Sequence, residues 1–374
     1  MNKKKILILG NNDSGLYDFR KEVLQAMLAE GYEVHVSVPD NGFLYKIKDL
    51  GCICHKTVMD RRGMNPVKDL ILLLFYLRLL KQINPAVVLA YTIKPNIYGG
   101  LACRFKKVPC ITTITGLGTA LEGGGLLKKM LVFLYRTALK KASCIFFQNR
   151  NNLEFMKNEG CIAPDAPTAL VSGSGVNLEE HRFCAYPEDD GVIFVSAMRI
   201  MKAKGVEELL AAAETIHREY QNVKFWLLGD YEEETKELYI PQITRLQTEG
   251  ILEYYGYRDD IALFFERCHA VIHPTYHEGM SNVLQEAAAA GRPCLASNVS
   301  GCREIIENGI SGLTFTAQNT AALTECIRSF LALNYTDRCR MGQNARKYVE
   351  ENFDREKVVK AYLVRIADII EQKG

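Results

Sequence analysis

Short apolar runs alternate with longer amphipathic ones through both halves of this 374-residue chain, and a polar, glycine-containing break separates the halves. That alternation limits the fold to two α/β domains, because buried parallel strands read as near-continuous Val/Ile/Leu runs and each needs a helical return. Strands are expected near 4–9, 32–38, 53–58, 86–91, 109–114, 143–147 and 168–171, with helical stretches such as 16–30, 65–83 and 126–141 between them. The pattern restarts at Gly191-Val192-Ile193-Phe194-Val195, with strands near 223–228, 251–256, 269–273, 293–296 and 312–315 and final helices near 336–351 and 354–372. Ser172-Gly173-Ser174-Gly175-Val176-Asn177 and the stretch through Pro187-Glu188-Asp189-Asp190 read as turn and linker, so the domains are drawn as 1–178 and 179–353. Ligands of such sheets bind beyond the carboxyl ends of the strands.

Charge separates the halves as well. Residues 1–178 carry 24 Lys+Arg against 13 Asp+Glu, and residues 179–374 carry 22 against 31. The first half therefore suits an anionic partner, such as a lipid surface or a diphosphate-linked molecule, and no zinc-finger, helix-turn-helix or RNA-binding signature points to nucleic acid. Twelve cysteines without a C-x-x-C pair read as reduced core thiols, which favours the cytosol. The N-terminal lysines precede too short an apolar run for a signal peptide, and Leu70 to Leu77 is too short to span a bilayer. Membrane contact is expected to be peripheral. The basic, strongly apolar helix from Leu126 to Lys141 has the composition of an interfacial one.

The chemistry concentrates in the second half. In His277-Glu278-Gly279-Met280-Ser281-Asn282-Val283-Leu284-Gln285-Glu286, two carboxylates flank a turn that opens a helix, with Ser281 as N-cap. The N–H groups of Met280, Ser281, Asn282 and Val283 make that turn attractive to phosphate. The two carboxylates would lie roughly 12 Å apart at helical rise, about the length of a nucleotide-sugar. This geometry suggests one carboxylate on sugar hydroxyls, the diphosphate at the helix start and the other carboxylate on the ribose. Upstream, Met198-Arg199-Ile200-Met201-Lys202-Ala203-Lys204-Gly205 follows a strand. A guanidinium can grip two phosphate oxygens and an ammonium adds a point charge, so Arg199 and Lys204 can stabilise a departing diphosphate without a metal. Lys202 is expected to be solvated.

The E-x7-E spacing and the Arg-x4-Lys-Gly element resemble those of family-4 retaining glycosyltransferases. The resemblance implies a GT-B fold: two Rossmann-like domains facing each other across a cleft, with the C-terminal helix, about 354–374, crossing back to the first domain. It assigns catalysis to Glu278, Arg199 and Lys204, and donor binding to Glu286, Gly279, Met280, Ser281, Asn282 and Val283. The loop Gly10-Asn11-Asn12-Asp13-Ser14-Gly15 has P-loop spacing, but Leu16 and Tyr17 stand where Lys and Ser/Thr are needed, so nucleoside triphosphate binding is not expected. In the family this loop faces the donor, which implicates Ser14, Gly15 and Leu16. Tyr257 and Arg258 in Gly256-Tyr257-Arg258-Asp259-Asp260 match a loop that lines the uracil. On the acceptor side stand Lys94, which could hold a phosphate or be an ordinary surface lysine, and Thr115 and Gly116 in Ile114-Thr115-Gly116-Leu117-Gly118-Thr119. Thr115 replaces a His common in relatives, which removes a His acid or base there. His277 reads as a supporting residue, since no metal-ligand spacing accompanies it.

The expectation is thus a metal-independent glycosyltransferase with no cofactor beyond a UDP-sugar co-substrate. It would add a hexose or N-acetylhexosamine to a polyprenyl-diphosphate-linked or growing polysaccharide acceptor at the cytoplasmic membrane face. The alternatives are a catalytically silent GT-B membrane-docking subunit and a transferase with a small soluble acceptor.

Overall fold

The computed structural model describes residues 3–60, 63, 65–117, 121, 124–188 and 191–372. By contact the chain divides into two units, Met1–Ser174 together with Arg355–Gly374, and Gly175–Asp354. The division falls inside the Gly/Ser turn, slightly before the 178/179 position expected from the linker composition.

The first unit is built on β1 (Lys5–Leu9), β2 (Glu33–Val38), β3 (Ile53–Lys56), β4 (Val87–Tyr91), β5 (Cys110–Ile114), β6 (Cys144–Phe147) and β7 (Thr168–Leu170), in the order β3-β2-β1-β4-β5-β6-β7. All pairs are parallel, with Ile6 opposite Val34 on one side and Val87 on the other. Central strands β1 and β4 are buried nearly end to end, which is why they lack polar alternation. The C-terminal helix Arg355–Glu371 belongs to this unit. Its Val358, Tyr362, Ile366 and Ile370 enter the core formed by Ile6, Ile8, Val36 and Leu89. The Tyr362 hydroxyl bonds Thr113 Oγ1 at 2.7 Å, and Arg355 pairs with Glu22 at 2.9 Å.

One boundary differs from the expectation. The first helix runs Asp13–Ala29, so Ser14, Gly15 and Leu16 form its first turn instead of a loop. The reason is Asp13, a buried carboxylate that accepts from the N–H groups of Ser14 (2.9 Å), Asn41 (2.8 Å) and Phe43 (2.9 Å) and from Asn41 Nδ2 (3.0 Å). An acid in the first turn also complements the helix dipole. Leu16 is buried in the core.

The second unit contains β8 (Val192–Ala197), β9 (Val223–Leu228), β10 (Leu252–Tyr254), β11 (Ala270–His273), β12 (Cys294–Ser297) and β13 (Gly312–Phe315). The parallel order is β10-β9-β8-β11-β12-β13, so strand succession reverses between β8 and β11. Phe194 stacks on Phe225 at 5.5 Å between ring centroids and meets Phe330 edge-on, fixing the helix Thr320–Leu331 against the sheet. All twelve cysteines are free. Burial pushes the Cys52 and Cys326 thiols up to about 12, so at neutral pH they pack as apolar groups.

Candidate active site at the switch point of the second sheet

The reversal between β8 and β11 opens the crevice where open α/β sheets hold ligands. Three residues singled out in the sequence gather at the carboxyl ends of those two strands. Arg199 lies just past β8, Lys204 ends the single turn Lys202–Lys204, and Glu278 follows β11 through the loop 274–278. Lys204 and Glu278 form an ion pair, both side chains less than one-fifth exposed. His273, the last residue of β11 and almost fully buried, brings Nε2 to 3.0 Å from the same Glu278 oxygen.

Burial alone would push the Glu278 carboxyl up. The His273 hydrogen bond and the charge of Lys204 more than offset it, holding the group down at about 2. Glu278 is therefore an acceptor-only carboxylate at neutral pH, so His273 Nε2 carries the proton that it donates. Because the folded value lies below the ordinary 4.5, the pair stabilises the protein above about pH 4.5, and that contribution fades as pH falls toward 2. The full effect is on the order of 3 kcal/mol, of which about 2 kcal/mol should be lost by pH 3. Urea unfolding of wild type and Glu278→Gln at pH 7 and pH 3 checks this. Wild type should lose about 2 kcal/mol more than the variant over that interval, and equal losses would refute the assignment.

The Lys204 turn is fastened to the Glu278 loop at several points. Tyr276 N–H donates to Ala203 O at 3.0 Å, Thr275 Oγ1 reaches the same carbonyl at 3.4 Å, and the Tyr276 hydroxyl donates to Glu208 at 2.8 Å. Gly205, at φ 76°, packs against Pro274 so closely that a Cβ would sit 2.0 Å from its carbonyl oxygen. Gly301, at φ 86°, backs Glu278 in the same way, 2.8 Å from its Cβ. Arg199 is half exposed and bonds Glu232, a nearly buried carboxylate, through Nη1. A guanidinium has five N–H donors, so this contact orients Arg199 and leaves capacity for phosphate oxygens.

The helix Asn282–Ala289 starts as the turn chemistry requires, with Ser281 Oγ accepting from Leu284 N–H at 3.4 Å. Glu286 lies about one turn inside it. One expected donor is corrected: Ser281 N–H already donates to Gly301 O at 2.9 Å, because the Gly301 turn packs against this segment. Ser281 thus acts as a cap whose own N–H is already paired. Tyr257 is exposed beyond β10, while Arg258 grips Asp260 of its own loop at 2.8 and 2.5 Å. Lys202 is solvated and pairs with Glu207 at 3.3 Å.

In the first unit, Ser14 Oγ donates to Asn12 Oδ1 at 3.2 Å. Thr115 and Gly116 follow β5 and are half-buried, whereas Gly118 and Thr119 of that motif lie outside the described residues. Lys94 departs from the surface-lysine reading: its side chain is mostly buried and pairs with Asp69 at 2.6 Å, and Asp69 also accepts from Tyr98 at 2.9 Å.

Sequence reasoning missed His273, Glu232 and Gly301. A signal existed for His273, the one polar residue in Ala270-Val271-Ile272-His273, five positions before Glu278. Nothing comparable marked Glu232, 33 residues from Arg199 within an acidic run.

Two family profiles cover most of the chain: "Glycosyl transferase 4-like" over residues 5–149 and "Glycosyl transferases group 1" over residues 179–348. The chain is a GT-B glycosyltransferase. Among curated relatives, this glycosyltransferase is 27% identical to the N,N'-diacetylbacillosaminyl-diphospho-undecaprenol alpha-1,3-N-acetylgalactosaminyltransferase of Campylobacter jejuni, across 96% of its own length and 98% of the relative's. It is 26% identical to the capsular polysaccharide biosynthesis glycosyltransferase CapM of Staphylococcus aureus, over 78% of this chain and 79% of CapM. Of solved structures, that of Anabaena Alr3699/HepE in complex with UDP and glucose superposes with a TM-score of 0.81 at 17% identity, covering 98% of this chain and 100% of the other. The glycosyltransferase fold is thus shared along essentially the whole chain.

Proposed function

We propose that this glycosyltransferase is a retaining, metal-independent enzyme that moves a hexose or N-acetylhexosamine from a UDP-sugar to a polyprenyl-diphosphate-linked or growing polysaccharide acceptor. The observation that carries the reading is the Lys204–Glu278–His273 cluster at the β8/β11 switch point, with the half-exposed Arg199 just past the end of β8. Arg199 and Lys204 take up the charge that develops on the leaving diphosphate. Glu278, ionised and fixed by two donors, orients hydroxyls of the donor sugar. Glu286 holds the ribose, and the N–H groups of Met280, Asn282 and Val283 meet sugar and phosphate oxygens. As the acceptor hydroxyl forms the new bond on the face that the diphosphate leaves, its proton passes to a departing phosphate oxygen, so no protein base is needed. Ser14 and Gly15 are assigned to the donor from the first unit, Tyr257 and Arg258 to the uracil, and Thr115 and Gly116 to the acceptor.

The acceptor class is supported by the Campylobacter relative's undecaprenol-linked substrate and by the basic first unit. Among the described residues no helix is long and apolar enough to cross a membrane. The basic, apolar composition of the helix Gly125–Leu139 supports assigning the enzyme to peripheral contact with the cytoplasmic membrane face.

Thermal unfolding with UDP-, GDP- and ADP-sugars tests the donor assignment. At a hundredfold excess over Kd a ligand adds about 2.7 kcal/mol, roughly 5–10 °C for domains of this size. A UDP-sugar should give that rise and be slowly hydrolysed to UDP by wild type but not by Glu278→Ala. A rise only with GDP- or ADP-sugars would overturn the donor assignment, and a rise without turnover on any acceptor would favour a silent subunit.

A further inference from the structure

The helix Pro66–Ile83 is amphipathic twice over. One stripe, Leu72, Tyr76, Leu79, Leu80 and Ile83, is buried against the first sheet. A second stripe, Val67, Leu70, Ile71 and Leu74, points outward and is 45 to 67% exposed. Its spacing of three, four and seven residues is the one a helix uses to bury a face. The helix Gly125–Leu139 repeats the arrangement, with Tyr135, Ala138 and Leu139 inward and Leu126, Met130 and Phe133 outward. Between them the helix Gly100–Lys106 packs against both and exposes Phe105. Eight large apolar side chains on three adjoining helices are too many to be scattered surface residues.

Charge identifies what covers them. Residues 66–117 and 124–141 contain twelve Lys+Arg and a single acid, Asp69. That acid is turned inward onto Lys94 and Tyr98. Of the cations, Lys128 also reaches Glu159 at 2.8 Å and Arg104 donates to Thr137 O at 2.8 Å. A second copy docked on this face would set cations against cations, whereas an anionic bilayer accepts the apolar rows and the cations together.

We propose that the outward faces of Pro66–Ile83, Gly100–Lys106 and Gly125–Leu139 form one lipid-contacting surface, with Val67, Leu70, Ile71 and Leu74 as a second apolar row lying in the headgroup region of an anionic membrane. This rests on the peripheral-membrane reading above and extends it beyond the single helix assigned there.

The test is co-sedimentation of the purified full chain with vesicles of phosphatidylglycerol and phosphatidylcholine in equal parts, and with vesicles of phosphatidylcholine alone. Wild type should pellet with the anionic vesicles and not with the neutral ones. Ile71→Asn combined with Leu74→Asn should weaken binding at least about tenfold. Both positions are exposed, so the variant should keep its circular dichroism, its melting point and its thermal response to donor, which separates this surface from the donor site. If that variant binds as wild type does while Phe133→Asn fails to, lipid contact is confined to Gly125–Leu139 and the second row is refuted. If wild type binds neither vesicle, both membrane readings fall and the donor chemistry stands. Self-association of wild type that the double variant abolishes, without vesicle binding, would make the occupant a second copy and overturn the proposal.

Discussion

Lys204→Ala should lower the rate of sugar transfer by about 10² to 10³, the usual loss when one preorganised group that stabilises developing charge is removed. The protein should still fold. Glu278 keeps His273 as a donor at 3.0 Å, so the stability cost is about 1–3 kcal/mol, that of a half-satisfied polar group. Lys202→Ala is the matched control. It removes an equal charge two residues away, but from a solvated side chain paired with Glu207, and turnover should stay near wild type. Initial rates with a saturating UDP-sugar and circular dichroism of both variants decide the matter. Near-normal turnover in Lys204→Ala would remove Lys204 from the reaction.

Gly205→Ala should damage the enzyme through geometry alone, with no charge altered. The position combines φ 76° with a Cβ that would lie 2.0 Å from Pro274 O, so the Lys204 turn and the Glu278 loop would have to separate. Gly250→Ala isolates the two causes. Gly250 has nearly the same backbone, φ 72°, but nothing lies within 4 Å of where a Cβ would stand. There the left-handed conformation costs about 1–2 kcal/mol and activity should persist. At Gly205 the clash adds to that cost, and displacing Lys204 by about 1 Å should reduce kcat/KM by about 10² or more. Equal effects at the two glycines would show that the Pro274 contact does not position Lys204.

The sheets were legible because every strand of a covered parallel sheet is an unbroken apolar run, as in Ile6-Leu7-Ile8-Leu9 or Val87-Val88-Leu89-Ala90. Helix starts were less so. Asn12-Asp13-Ser14 has loop composition, and only the backbone of Asn41 and Phe43, some thirty residues away, shows that Asp13 begins a helix. Within the candidate site, Arg199, Lys204 and Glu278 were visible because charged residues at strand ends need a reason. Their partners were not. Glu232 and Gly301 act through contacts that only the packed sheet creates, and Lys94 shows the converse: a cation whose sequence setting suggested a ligand is held by Asp69, 25 residues earlier. The outward row on Pro66–Ile83 was hidden for a related reason, since a buried and an exposed apolar stripe on one helix merge into a single hydrophobic run.

The structure of the enzyme with an intact UDP-sugar is the most direct test of the switch-point assignment. The diphosphate should lie within hydrogen-bond distance, about 3 Å, of both Lys204 Nζ and the Arg199 guanidinium, with the sugar on Glu278 and the ribose hydroxyls on Glu286. A diphosphate bound away from the ends of β8 and β11, with Lys204 and Arg199 making no contact to it, would contradict that assignment.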